Sequence, residues 1–269
     1  MYLPTITDDT AKCSAAALKL PCSTTATKAC MQRKISIGNH WFAICKAYAG
    51  YRTAAAGADW LHVLSGASRM KILLVGASGT LGQAVAATLG THHQLIRAGR
   101  HGGNVQVDLT DDASVQALFA QVGTVDAVVA TTGKLHFGPL GTMTPAQFNV
   151  GLQDKLLGQV RLALAAQHHL TAGGSITLTS GIVSAQPIRD GANATAVNAA
   201  LEGFARGAAC ELLPRGLRIN VVSPNVLVES LADYGAYFPG FEAVTAQRAS
   251  LAYLRSVEGV QSGQVFNVW

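Results

Sequence analysis

Three glycines, at 76, 79 and 82, lie between an apolar run and a helical run of this 269-residue chain, and their spacing specifies a chemistry. Gly76 permits a tight turn, Gly79 lets the backbone approach a ligand, and Gly82 lets the next helix pack close on a sheet. The free N–H groups opening that helix favour an anion. Gly76, Ser78, Gly79, Thr80, Leu81 and Gly82 therefore read as a cradle for the pyrophosphate of a dinucleotide. Arg100 stands just past the second strand, where an acid would hold ribose hydroxyls. An arginine instead offers charge and paired N–H donors to a 2′-phosphate, so NADP is expected over NAD. Asp108 accepts from an adenine amino group or simply ends a strand. Thr131-Thr132-Gly133 and Ser180-Gly181 each follow a strand, on the sheet edge where ligands lie.

The elements that must position these residues follow from periodicity. Lys71–Val75 is a buried strand and Gln83–Leu89 the helix behind it. Further strands are expected at Gln94–Ala98, Asn104–Val107, Val125–Ala130, Ser175–Thr179, Leu217–Val222 and Gly263–Val268. Thr110 or Asp111 caps a helix to Gln121, and Thr144-Pro145 opens the next helical region. Gln153–Leu170 is expected to be helical, with Leu156, Val160, Ala163 and Leu164 toward the sheet and Gly173 and Gly174 as its stop. Asn193–Leu213 is a long alanine-rich helix, suited to close packing on the sheet or on a second copy, and a last helix covers 241–256. Glu229–Phe241, with Tyr234, Tyr237 and Phe238, reads as a segment able to cover a pocket. Seven strands alternating with helices predict an α/β fold, a three-layer doubly wound parallel sheet of the Rossmann type.

Charge and cysteines divide the chain. Residues 1–69 hold 8 Lys and Arg against 3 Asp and Glu, and residues 70–269 hold 12 against 12, so the net +5 belongs to the first segment. The remainder has no basic excess for nucleic acid. Cys13, Cys22, Cys30 and Cys45 fall in the first segment, at spacings that match no compact metal pattern, and no metal is expected. Cys210, inside the long helix, reads as a small buried apolar residue. No apolar stretch reaches the roughly 18 residues of a membrane span, and the start lacks a secretory pattern. The balance points to the cytoplasm. Residues 1–69 read as a low-complexity or disordered extension, or as a mis-assigned start with Met70 as initiator. Residues 70–269 are expected to form one nucleotide-binding domain.

From Lys71 to the end the chain resembles the short-chain dehydrogenase/reductase family. The resemblance rests on Gly76–Gly82, Asp108-Leu109, Ala130–Gly133, Ser180, Arg218–Pro224 and Ser262–Gln264. The glycine spacing follows a GxxGxxG variant rather than the TGxxxGxG form common in that family. The resemblance implies an NAD(P)-dependent oxidoreductase of a carbonyl or alcohol, assembled as a homodimer or homotetramer. It adds Leu109, Thr131, Gly133 and Pro224 to the expected nucleotide contacts. It assigns the active serine to Ser180, but the family's tyrosine falls at Ala194, its lysine at Asn198 and its asparagine at Lys155. No tyrosine occurs between Ile176 and Ser230.

A tyrosine hydroxyl in that place delivers a proton to the developing alkoxide, and the lysine lowers its pKa and holds the ribose. Ala194 does neither, and Asn198 offers a hydrogen bond without charge. Lys155 restores a positive charge if its stem reaches inward, with Ser180 orienting the substrate oxygen. Tyr234 or Tyr237 is an alternative proton source from above. Two functions are thus expected to compete: an NADP-dependent reductase of a small carbonyl compound with an altered relay, and a nucleotide-binding sensor or partner subunit without hydride transfer.

Overall fold

The computed structural model describes residues 69–269. The expectations placed on the first segment (its disorder or mis-assignment, and the state of Cys13, Cys22, Cys30 and Cys45) lie outside the described residues. In chain order the body runs β1 Lys71–Val75, α1 Thr80–Gly90, β2 Gln94–Gly99, β3 Val105–Gln106, α2 Asp112–Val122 and β4 Val125–Ala130. Then come α3 Pro145–Gly151, a π-helical turn Leu152–Leu157, α4 Gly158–Ala166, β5 Leu170–Thr179 and α5 Ala192–Leu212. The chain closes with β6 Arg218–Pro224, α6 Leu231–Tyr234, α7 Ala246–Glu258 and β7 Val265–Val268.

The seven strands form one sheet in the order β3-β2-β1-β4-β5-β6-β7, and every pairing is parallel. Alternation within β1 shows why both faces must be covered. Leu73 and Val75 join the core with Leu118 and Phe119 of α2, Leu162 of α4 and Leu201 of α5. Ile72 and Leu74 join the opposite core with Val85 and Leu89 of α1 and Tyr253 of α7. The strand order reverses between β1 and β4, which opens a crevice at their carboxyl ends.

Two elements depart from the periodicity reading. The helix expected to Leu170 ends at Ala166, and Leu170 already begins β5. Gly173 and Gly174 are not a helix stop. They lie inside β5, with Gly173 at φ +78°, where the register between β4 and β5 shifts. The π turn adds a residue to one helical turn and rotates everything after it. Leu162, Ala163, Ala165 and Ala166 therefore face the core, and Leu164 is 51% exposed instead of covering the sheet.

Candidate active site

The loop after β1 is held by contacts that leave no room for side chains. Gly76 sits at φ +90°, and a Cβ at Gly82 would stand 2.0 Å from the Gly76 carbonyl oxygen. Gly82 thus brings α1 against the loop and against Thr131, more than against the sheet. The Thr131 hydroxyl donates to the carbonyls of Val75 and Gly76, both at 3.2 Å, tying the ends of β1 and β4 together. A Cβ at Gly79 would meet only an ordinary contact at 3.6 Å, so the protein itself does not demand glycine there. Gly79, Ser78 and Thr80 are exposed, so the approach to this backbone is open from outside. Gly79 caps α1 with no side-chain hydrogen bond, and the first-turn N–H groups of α1, which include Leu81, stay available to an anion.

Arg100, just past β2, is already paired. Its Nη2 donates to Asp108 Oδ1 and to Asp154 Oδ2, each at 3.2 Å. Asp154, in the π turn, also accepts from the Lys134 amide through Oδ1 at 2.6 Å. The Thr110 amide, its hydroxyl and then Arg100 hold the Asp108 carboxyl below its usual range. Leu109 is buried against Gly158. Pro224 ends β6, where it is buried and paired with Val268 of β7.

The π turn aims Lys155 into the protein. The residue is only 7% exposed, and its Nζ donates to the Ser180 carbonyl at 3.0 Å. Burial pushes its pKa from the ordinary 10.5 down to about 8, with the charge of Glu202 acting against that fall. The Ser180 hydroxyl donates to Glu202 Oε1 at 2.9 Å, and the Ser184 hydroxyl donates to the same atom at 2.6 Å. On α5, Ala194 is fully buried among apolar side chains and brings no hydroxyl. Asn198 is 1% exposed, and its Oδ1 has no hydrogen-bond partner among the described residues. The structure therefore brings Lys155, Ser180 and Glu202 into one connected group. Tyr234 and Tyr237 reach this region through Phe137, which packs on the cluster of Ile182, Val183 and Ala194. Their rings pack on Phe137 at 5.7 Å and 5.0 Å, and among the described residues neither hydroxyl bonds to Lys155, Ser180 or Glu202.

Four residues of this region carry weight that motif reading missed. Glu202 stands four residues past Asn198, one turn further along the same stripe of α5, and that spacing was its only signal. Asp154 had none, because an acid beside a lysine reads as a solvated helix face. Gln159, fully buried, clasps the ends of β4 and β5. Its amide donates to the Thr132 and Thr179 carbonyls, and its oxygen accepts from the Thr179 N–H. Asn193 accepts from His136 N–H at 2.9 Å and donates to the Phe148 carbonyl at 2.7 Å, fixing the loop after β4 against α5. Cys210 corrects an expectation: it is exposed, because α5 turns Leu201, Ala205 and Leu212 to the core and the cysteine away.

The parallel seven-stranded sheet, with the glycine loop at the point where its strand order reverses, defines a doubly wound α/β body of the Rossmann type. A family model described as enoyl-(acyl carrier protein) reductase matches residues 76–266, and the chain belongs to the short-chain dehydrogenase/reductase family. Hydroxynaphthalene reductase arp2 of Aspergillus fumigatus is 30% identical over 130 residues, covering 47% of this chain and 48% of that protein. The 3-oxoacyl-(acyl-carrier-protein) reductase FabG of Salmonella typhimurium is 27% identical over 176 residues, covering 58% of this chain and 72% of that protein. The chain thus spans about half the length of the first of these relatives. Among solved structures, the protein lin1944 from Listeria innocua is 46% identical with a TM-score of 0.73, covering 74% of this chain and 100% of that one. A small-chain dehydrogenase in complex with NADPH is 26% identical with a TM-score of 0.67, covering 74% and 96%. Among the described residues no helix is long and apolar enough to cross a membrane, and no cluster of His, Cys, Asp and Glu could hold a metal.

Proposed function

We propose that residues 70–269 form an NADP-dependent reductase of a small carbonyl compound, in which Lys155 replaces the missing tyrosine as proton donor. The observation that carries this reading is the Lys155 amine, buried and bonded to Ser180 at the carboxyl edge of the sheet. An ammonium with a pKa of about 8 is protonated at neutral pH yet gives up its proton readily.

The chain's residues fit a nicotinamide nucleotide. The cradle at Gly76, Ser78, Gly79, Thr80, Leu81 and Gly82 takes the pyrophosphate, and Arg100 with Asp108, Leu109 and Thr131 takes the adenosine side. The orphan Oδ1 of Asn198 has a natural partner in a ribose hydroxyl, and Gly133 and Pro224 line the remaining walls. When bound, the nucleotide supplies a hydride to the substrate carbon. The protein's part is to give the substrate oxygen a proton from Lys155 Nζ, while Ser180 fixes that amine through its main-chain carbonyl. Neutral Lys155 then regains its proton from water. Leu135, Phe137, Ile188, Phe238 and Phe241 pack with Ile182 and Val183 over this edge and favour an apolar substrate body.

We place the working form in the cytoplasm as a homodimer or homotetramer. The support for the assembly is an apolar groove between α4 and α5, with Leu164, Phe204, Ala208 and Leu212 on its walls. Light scattering on purified protein tests the assembly. The second reading, nucleotide binding without hydride transfer, is favoured by Ala194, which puts a methyl group where the family places its proton donor.

Titration with NADPH and NADH, followed by a screen for NADPH oxidation across aldehydes, ketones and quinones, separates the two. Carbonyl-dependent oxidation supports the reductase; tight NADPH binding with no turnover across the panel supports the second reading.

A further inference from the structure

The Ser180 hydroxyl has a single proton, and that proton is committed. It points to Glu202 Oε1 at 2.9 Å, and the Ser184 hydroxyl reinforces the same carboxylate oxygen at 2.6 Å. A carboxylate only accepts hydrogen bonds, so both hydroxyls must donate to it. The remaining face of the Ser180 oxygen then carries lone pairs only. It can accept from a substrate hydroxyl or an ammonium, but it has nothing to donate to a carbonyl oxygen. Meanwhile the Ser180 main-chain carbonyl is the hydrogen-bond partner of Lys155 Nζ at 3.0 Å. One residue is thus gripped from two sides, by an anion through its side chain and by a cation through its backbone.

We infer that Glu202 is a positioning residue of this site: by accepting the hydrogen bond of the Ser180 hydroxyl and placing a carboxylate near Lys155, it leaves Lys155, and not Ser180, to give the substrate oxygen its proton. The inference rests on the reductase reading above and gives its altered relay a specific member. In the reduction, the carbonyl π bond opens as carbon receives the hydride and oxygen receives the Lys155 proton. Lys155 goes from ammonium to amine, water restores its proton, and Ser180 and Glu202 end the cycle as they began.

The surroundings of Lys155 leave Glu202 as its counter-charge. Among the described residues the charge that acts on it is that of Glu202 on α5, which works against the effect of burial. Asp154, its neighbour in the π turn, faces Arg100 and the Lys134 amide. The end of β5 brings Ser180, and the loop after β4 brings Gly133 against the lysine stem and the exposed Lys134. An opposite charge held close to an ammonium typically raises its pKa by roughly 1 unit or more.

The test observes Lys155 directly and needs no substrate. Protein labelled with 13C in its lysines is titrated by NMR, with Lys155 assigned by its absence in Lys155→Met. Glu202→Gln is expected to lower the Lys155 midpoint by roughly 1 unit, and Glu202→Asp to restore most of the difference. If Glu202→Gln does not fold, Glu202→Met, which removes the charge at similar volume, must lower the midpoint likewise. A folded Glu202→Gln with an unmoved midpoint overturns the inference, even if its melting temperature falls. Wild-type protein that oxidises NADPH with no carbonyl of the panel, while the midpoint still responds to Glu202, sinks the reductase reading and leaves the hold of Glu202 on Lys155 standing.

Discussion

Gly133 has no side chain at the point where the stem of Lys155 crosses it: a Cβ there would stand 2.3 Å from Lys155 Cγ. The backbone of Gly133 is also at φ +135°, a conformation that side chains resist. The loop after β4 therefore sets how far the lysine reaches into the site. Gly133→Ala is expected to cost about 2–3 kcal/mol from strain and overpacking. It should also displace the Lys155 amine, so turnover falls more than NADPH affinity does; equal losses of both would argue against this coupling.

Lys155→Met removes a buried cation and should act oppositely on stability and turnover. Turnover is expected to drop about 100-fold or more, as for loss of a general acid. The sign of the pH effect follows from the folded pKa of about 8 lying below the unfolded 10.5. Between those values the unfolded chain binds more protons, so this lysine lets wild-type stability rise as pH increases through the window and depresses it below pH 8. Chemical denaturation should find Lys155→Met more stable than wild type at neutral pH, by up to about 3 kcal/mol. That advantage should fade from about pH 8 to 10.5.

Arg100 is shared by two carboxylates before any 2′-phosphate arrives. Asp154→Asn keeps an acceptor for the Lys134 amide while releasing one side of the guanidinium. NADPH affinity should rise about three- to tenfold in that variant and become more salt-dependent, with NADH nearly unaffected. Arg100→Ala should bring the two nucleotides to similar affinity. Calorimetric titration of both variants checks the pair of expectations.

Gln159 satisfies three backbone groups at the ends of β4 and β5, where no ladder reaches them. Leucine at this position fills similar space but leaves those groups unpaired in a buried site. A loss of about 3 kcal/mol is expected in denaturant unfolding of Gln159→Leu. A change under about 1 kcal/mol would show that water takes over the role.

The sheet was legible because buried parallel strands are continuous apolar runs: Val125–Ala130 matched to the residue. The glycine cradle was legible because a tight approach admits few residue types. The π turn was not, since an inserted residue leaves no mark in composition; past it, Ala163 faces the core as read but Leu164 does not. Leu164 was thereby assigned to the core, and Lys155 had no stated path inward except by likeness to a family. Gly173 and Gly174 were read as a helix end because a bulged strand and a stop signal use the same residue. Glu202 shared a helical stripe with Ala194 and Asn198, but only the fold shows that the middle of α5 meets the residue after β5 there.

A chain beginning at Met70 should fold and bind nucleotide as the full chain does. Matching melting temperatures and NADPH affinities for the two would support residues 70–269 as the working domain. Loss of folding in the shorter chain would assign a structural role to the first segment.

The central claim is that the crevice between β1 and β4 holds a phosphorylated nicotinamide nucleotide. Isothermal titration of folded protein with NADPH and then NADH tests it most directly. The account predicts saturable binding at one site per chain, tighter for NADPH, and abolished in Gly82→Val. Absence of affinity for both nucleotides in a folded sample would contradict it.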